Sequence, residues 1–102
     1  MPDRPTREYA RLTALEVGGR PIEISSAEVV WIQHWNGEEP AQREWELAGR
    51  TFDPSLPDGA QSVVLVIGER RLTGRAVLDV RRSDGYAAFE GVGLGALSEA
   101  NG

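Results

Sequence analysis

Apolar and polar residues alternate over short stretches of this chain, which is the pattern of half-buried β-strands. The last third is the most regular part. The apolar run 63–67 precedes residues 71–81, in which small and apolar residues alternate with charged ones, and residues 86–91 follow a Ser-Asp-Gly turn. Three strands separated by tight turns predict a C-terminal three-stranded antiparallel meander.

The middle of the chain predicts a second hairpin. Residues 27–35 are rich in β-branched and aromatic side chains, which favour strands, and Asn36-Gly37 follows as a typical hairpin turn. The next stretch, 40–48, has two interpretations: a short helix with Pro40 in its first turn, or part of a strand from residue 43 to 52. We favour the strand, because the turn before it then closes a hairpin.

The number and spacing of these segments predict the fold class. Residues 12–17 and 21–24 flank Gly18-Gly19 and form a first hairpin, which brings the total to six or seven short antiparallel strands. Strands and turns at this spacing are typical of an all-β barrel or sandwich in the SH3-like or OB-like size class. We favour the barrel, because Gly74 and Ala76 on a buried face suit a tightly curved sheet.

Length and composition indicate a single domain. The 102 residues predict one domain spanning 1–102, with a folded part at 8–93 and flexible ends at 1–7 and 94–102. Cysteine is absent from the sequence, which excludes disulfides and thiolate chemistry. The longest apolar run, at 63–67, is too short to cross a bilayer, and the N-terminal residues lack a signal-peptide core. We therefore expect a soluble cytoplasmic protein that makes no membrane contact.

The alternation in the meander also predicts its core. Residues with one parity along each predicted strand should face inward together, because successive side chains of a strand point to opposite faces. The predicted core consists of Val64, Val66, Leu72, Leu78, Val80 and Phe89.

No motif indicates catalysis, a metal or a cofactor. His34 is the only histidine, and zinc sites usually need several His or Cys ligands. The carboxylates near the Asn36-Gly37 turn lack the alternating spacing of a calcium loop. The glycines at 91, 93 and 95 lack both a βαβ unit and the lysine of a phosphate-binding loop. We therefore expect a protein that is not an enzyme.

The three tryptophans lie in the most acidic part of the chain. Residues 23–58 carry eight carboxylates and two arginines, and a hairpin would bring Trp35 near Trp45. Tryptophan in a small domain is either core or part of a contact surface, and both interpretations stay open. The candidate contact surface for a basic partner protein comprises Trp31, Trp35, Glu38, Glu39, Glu44, Trp45 and Glu46.

A cluster of arginines is the candidate surface for nucleic acid. All eleven basic residues are arginine, and the clustered ones are Arg71, Arg75, Arg81 and Arg82. The net charge of −5 and the lack of an aromatic partner on that strand face argue against this use. Ion pairs with carboxylates on neighbouring strands are the simpler role for these side chains.

These observations favour a non-enzymatic protein-interaction or assembly module. It would bind a partner or itself through an exposed strand edge, as a structural subunit of bacterial or phage type or as a small acidic inhibitor or adaptor. A ligand or active site in the mouth of the barrel is one alternative. A nucleic-acid-binding barrel is the other.

Overall fold

The chain folds as one antiparallel β-sheet of eight strands in a computed structural model that describes residues 4–100. The strands, in chain order, are β1 (Thr6–Arg11), β2 (Ala14–Val17), β3 (Arg20–Ile22), β4 (Ile24–Asn36), β5 (Glu39–Thr51), β6 (Gly59–Ile67), β7 (Arg70–Ser83) and β8 (Tyr86–Glu99). Their order across the sheet is β1-β4-β5-β8-β7-β6-β2-β3. The predicted all-β class is therefore confirmed.

The sheet has one strand more than the upper predicted number, and it is not closed. The additional strand is β1, whose residues are almost all exposed and show no apolar alternation. The sheet ends at β1 on one side and β3 on the other, so a barrel is not confirmed. The segment between β1 and β2 nevertheless contacts two strands that are far apart in the sheet order, β4 and β6. The Leu12 N–H donates to the Ala27 carbonyl in β4 at 2.9 Å, and the Thr13 N–H donates to the Val66 carbonyl in β6 at 2.8 Å.

The β4–β5 hairpin resolves the two interpretations of residues 40–48. Strand β5 covers this whole segment, so the helical alternative is wrong. The connection is tight because Gly37 has a φ of 66°, a left-handed conformation that glycine adopts without steric cost. Asn36, which we expected to share this conformation, is the last residue of β4.

The C-terminal meander is confirmed, and its last strand is longer than expected. Strand β7 pairs with β6 on one side and with β8 on the other. Strand β8 continues to Glu99, through most of a segment that the sequence predicted as a flexible end, and the Ala100 N–H donates to the Arg71 carbonyl at 2.8 Å. The parts of the predicted flexible ends at 1–3 and 101–102 lie outside the described residues.

The core contains four of the six residues predicted for it. Leu72, Leu78, Val80 and Phe89 are buried, whereas Val64 and Val66 are half-buried. The inward residues of β6 are instead Val63 and Leu65. Every residue from 63 to 67 is apolar, so no polar residue marks the outward face of this strand. The sequence therefore did not show which residues of the run point inward.

Trp45 fills a gap between strands β5 and β8. Those strands pair only up to Glu46 and Val92, after which β8 turns away and its pairing with β7 shifts in register. The Trp45 indole packs against Gly93, and its Nε1 donates a hydrogen bond to the Gly95 carbonyl at 2.7 Å. The ring is 3% exposed, so Trp45 is part of the core.

The loop between β5 and β6 is held by hydrogen bonds around Asp53. Its Oδ1 accepts hydrogen bonds from the Ser55 hydroxyl at 2.5 Å and the Ser55 N–H at 2.9 Å, and Arg20 lies 3.4 Å from Oδ2. The Ser55 hydroxyl, the Ser55 N–H and the Arg20 charge together hold the pKa of Asp53 below its ordinary value of 3.8.

This lowered pKa predicts an acid-sensitive contribution to stability. In the unfolded chain Asp53 binds a proton more readily, so its contribution is present above pH 3.8 and is lost as the pH falls through the folded-state pKa. Urea denaturation should show wild type losing more stability than Asp53→Asn as the pH is lowered below 3.8. Asp84→Asn, in the exposed β7–β8 turn, is the control and should follow wild type. If the free energies of unfolding of wild type and Asp53→Asn fell in parallel as the pH is lowered, this prediction would be wrong.

Candidate protein-binding surfaces

The structure places Trp31 and Trp45 together and Trp35 apart from both. Trp45 is buried and lies opposite Trp31 on the adjacent strand, whereas Trp31 and Trp35 are half-buried. The expectation that Trp35 would lie beside Trp45 is wrong. Trp35 is next to the hairpin turn and pairs with Pro40, five residues before Trp45 along β5. Only Trp31 and Trp35 are therefore accessible to a partner.

Both accessible indoles are held in place by neighbouring side chains. The Arg43 guanidinium lies 5.8 Å from the centre of the Trp31 ring, and it also pairs with Glu8 of β1 at 3.5 Å. The Trp35 Nε1 donates to the Thr6 hydroxyl at 3.1 Å. These contacts tie the hairpin to β1 and give each ring a defined position.

Side-chain hydrogen bonds also order the outer part of the hairpin. A bulge between Gln33 and Trp35 leaves His34 out of register, and the Gln33 amide donates to the carbonyls of His34 at 2.9 Å, Ala41 at 3.3 Å and Gln42 at 3.4 Å. His34 Nε2 lies 2.9 Å from one Glu44 oxygen, and Gln42 donates to the other at 3.0 Å. The candidate carboxylate at position 44 is therefore part of an internal network.

The remaining candidate carboxylates fall into two places. Glu38 and Glu39 are exposed at the hairpin turn. Glu46 is also exposed, but it lies within the sheet between Val30 of β4 and Val92 of β8. The seven residues predicted as one contact surface are thus distributed over the hairpin turn, the core and the outward face of the sheet.

The outer half of β5 is an open strand edge. Strand β5 pairs with β8 only over residues 46–51, so residues 39–45 have β4 on one side and no strand on the other within residues 4–100. An edge of this kind presents backbone N–H and C=O groups that can pair with another chain. It lies directly beside the acidic turn at Glu38 and Glu39.

The arginines of the candidate nucleic-acid surface are not grouped together. Arg71 pairs with Glu16 at 2.7 Å, and Arg82 pairs with Asp58 at 3.3 Å and donates to the Leu56 carbonyl at 2.6 Å. Ten residues of β7 separate Arg71 from Arg81, a distance of about 33 Å along an extended strand. Two of the four arginine side chains already form ion pairs, and the four arginines are spread over almost the whole of β7. They do not form one compact basic surface.

The gap beside Trp45 opens into a depression of about 280 Å³. Trp31, Trp45, Leu72 and Leu97 line it, and the charged residues at its rim form two ion pairs. Arg43 pairs with Glu8 at 3.5 Å and Arg70 with Glu99 at 2.8 Å, and the described part of the chain contains no buried side-chain polar atom without a partner. A ligand there would have to displace existing ion pairs.

A larger depression, of about 430 Å³, lies on the outward face of the sheet. Two rows of side chains cross β4, β5, β8 and β7 in register to form it. The acidic row is Glu28, Ala48, Glu90 and Asp79, and the basic row beside it is Ser26, Arg50, Ala88 and Arg81. Arg11 of β1 also lines the depression and lies opposite Glu28, at the end of the acidic row.

The charges of these rows have no salt bridges within the described residues. The Arg50 guanidinium lies 5.9 Å from the centre of the Tyr86 ring. Asp79 and Glu90 lie directly opposite each other on adjacent strands. Neither row was predicted from the sequence. The sequence of each strand shows its outward polar residues. It does not show which of them become neighbours, because that depends on how the four strands pair.

Comparison with protein-family models, curated proteins and solved structures finds no match to this chain. Among residues 4–100, no three His, Cys, Asp or Glu side chains are arranged so that they could hold a metal ion. The same residues include no helix with the length and hydropathy required to cross a membrane.

Proposed function

We propose that this chain is a non-enzymatic protein-interaction module that binds a basic, extended segment of a partner protein at the tip of the β4–β5 hairpin. The observation that carries this proposal is the open edge of β5 at residues 39–45, next to the exposed carboxylates of Glu38 and Glu39. A partner strand would pair with this edge through backbone hydrogen bonds, and the carboxylates would attract its basic side chains.

The order within the hairpin supports this role. The Gln33 amide bridges both strands, and the Trp35 indole is tied to Thr6 of β1. An edge that is already held in its paired geometry loses little conformational entropy when a partner binds.

The two alternative functions have less support. The depression beside Trp45 is rimmed by Arg43, Arg70 and two carboxylates that already form ion pairs, so it offers few free polar groups to a ligand. Arg71 and Arg82 are occupied by carboxylates, which reduces the charge available to phosphates.

We also propose that the sheet is curved into a small barrel. Leu12 and Thr13 are consecutive, yet their N–H groups bond β4 near one end of the sheet and β6 near the other. This arrangement brings the two ends of the sheet together around one core. The rigid body that results would project the outer part of the hairpin toward a partner.

Neutralising the turn should weaken capture of a basic strand. The probe is an alternating Lys-Val octapeptide with blocked ends, and the readout is the NMR shift of the backbone amides of residues 39 and 41–45, since Pro40 has no N–H. Glu38→Gln with Glu39→Gln should weaken binding about two- to thirtyfold, because each of the two exposed charge pairs contributes about 0.2–1 kcal/mol. Raising the salt concentration should have the same effect.

Two controls separate edge pairing from simple charge attraction. Glu69→Gln with Asp84→Asn removes the same charge from two other turns and should leave binding at the wild-type level. A peptide of the same charge with N-methylated backbone amides should bind much more weakly, because it cannot donate the pairing hydrogen bonds. Equal binding of the methylated peptide, or no shift at 39–45, would refute the proposed function.

A further inference from the structure

The two charged rows on the outward face have an arrangement that is unfavourable in an isolated chain. Asp79 and Glu90 face each other across β7 and β8, and like charges in directly opposite positions destabilise a sheet. Arg81 lies one outward position along β7 from Asp79, yet the two form no salt bridge. The acidic row and the basic row thus lie side by side without a salt bridge between them in the described residues.

We propose that a second copy of this chain docks on this face, with the acidic row of each copy lying over the basic row of the other. The geometry follows from a two-fold axis that runs parallel to the rows and midway between them. Rotation about this axis exchanges the rows and leaves every strand over its own counterpart. Asp79 then lies over Arg81 of the second copy, and Arg81 lies over its Asp79.

The small residues of the rows fit the same arrangement. Arg50 of the second copy lies over Ala48, whose short side chain leaves space between the carboxylates of Glu28 and Glu90. One guanidinium can therefore contact two acidic groups from opposite sides. The depression over Ala48 and Ala88 is the space that the arginines of the second copy would fill.

The apolar side chains around the rows obey the same symmetry. On β8, Val92 follows the acidic row and Tyr86 precedes the basic row, so the axis places Val92 over Tyr86 of the second copy. Val92 is 60% exposed and Tyr86 is 39% exposed. Apolar contact at these positions would add buried area to the charge pairs.

Charge complementarity favours a second copy over another partner. A uniformly basic surface would be repelled by Arg50 and Arg81, and a uniformly acidic one by Glu28, Asp79 and Glu90. The partner must present an acidic row and a basic row two residues apart along its strands, about 6.8 Å, with side chains about 4.8 Å apart within each row. A second copy supplies that pattern by symmetry, as an isologous dimer does. The inference rests on the proposed class of assembly module, but it uses a face separate from the hairpin tip.

Charge exchange at positions 79 and 81 provides the test, with sedimentation velocity of the full chain over a wide concentration range as the readout. Wild type should form dimers that weaken as salt is raised. Asp79→Arg and Arg81→Asp should each weaken dimerisation at least tenfold, because each places like charges against each other. An equimolar mixture of the two single variants should form heterodimers, since both contacts then join opposite charges. The double variant in one chain should also dimerise.

Matched controls exclude general charge effects and separate this inference from the proposed function. Glu69→Arg and Arg4→Asp make the same changes of charge outside the face and should dimerise as wild type does. Glu38→Gln with Glu39→Gln should also dimerise normally, even where it weakens binding of the Lys-Val peptide. A wild type that stays monomeric at every concentration, or a mixture of single variants that stays monomeric, would overturn the inference.

Discussion

Phe89→Ala is expected to lower the free energy of unfolding by about 3–5 kcal/mol. The ring is 2% exposed and lies on β8 between Gly49 of β5 and Val80 of β7. Strands on both sides fix the backbone around the ring, so the site cannot collapse into the cavity that alanine leaves. Urea denaturation monitored by circular dichroism measures the loss, which is a large part of the stability of a domain this size.

Phe52→Ala is the matched control, because it deletes the same ring from a position that is 56% exposed. Its effect should stay within about 0.5 kcal/mol, as is usual for surface substitutions. Equal losses for the two variants would mean that the Phe89 ring contributes no more than an exposed one, and the assigned register of β8 would then be wrong.

The local features of this fold could be read from the sequence. Gly18, Gly37, Gly68 and Gly85 all have positive φ, and each lies in a tight turn that the spacing of strands predicted. The strand predicted at 43–52 was also correct in type, since the turn before it constrains its direction, although β5 begins earlier, at Glu39. These features depend on a few consecutive residues, so one sequence contains the information that specifies them.

The features that were missed depend on contacts between distant residues. The glycines of β8 indicated a loose tail, but in the structure they make room for side chains from other strands. A Cβ at Gly91 would lie 2.8 Å from Leu78, and one at Gly93 would overlap Trp45. Strand β1 was missed because almost all of its residues are exposed, so its sequence has no alternation of apolar and polar residues. It is a strand because it pairs with β4.

The candidate surfaces show the same division. The acidic turn at Glu38 and Glu39 was visible in the sequence because its residues are adjacent. The burial of Trp45 was not, because it depends on where β8 separates from β5. The acidic and basic rows were hidden for the same reason, since they combine single residues from four strands.

Gly93→Ala is expected to lower the free energy of unfolding by about 3 kcal/mol, the upper part of the usual range for overpacking a core. The added methyl group would overlap the Trp45 indole, and the ring has little room to retreat. Its Nε1 is bonded to the Gly95 carbonyl at 2.7 Å, and its Cζ2 lies 3.2 Å from where a Cβ at Gly74 would be.

A double-mutant cycle with Trp45→Phe identifies the cause of this loss. Phenylalanine removes the part of the indole that faces Gly93, so the added methyl group finds space that tryptophan occupied. Gly93→Ala should therefore cost about 1–3 kcal/mol less in the Trp45→Phe background than in wild type, a coupling typical of residues in direct contact. Additive losses in urea denaturation would show that the methyl group acts on the β8 backbone alone. In that case the close packing of Trp45 on Gly93 would not be what requires glycine at this position.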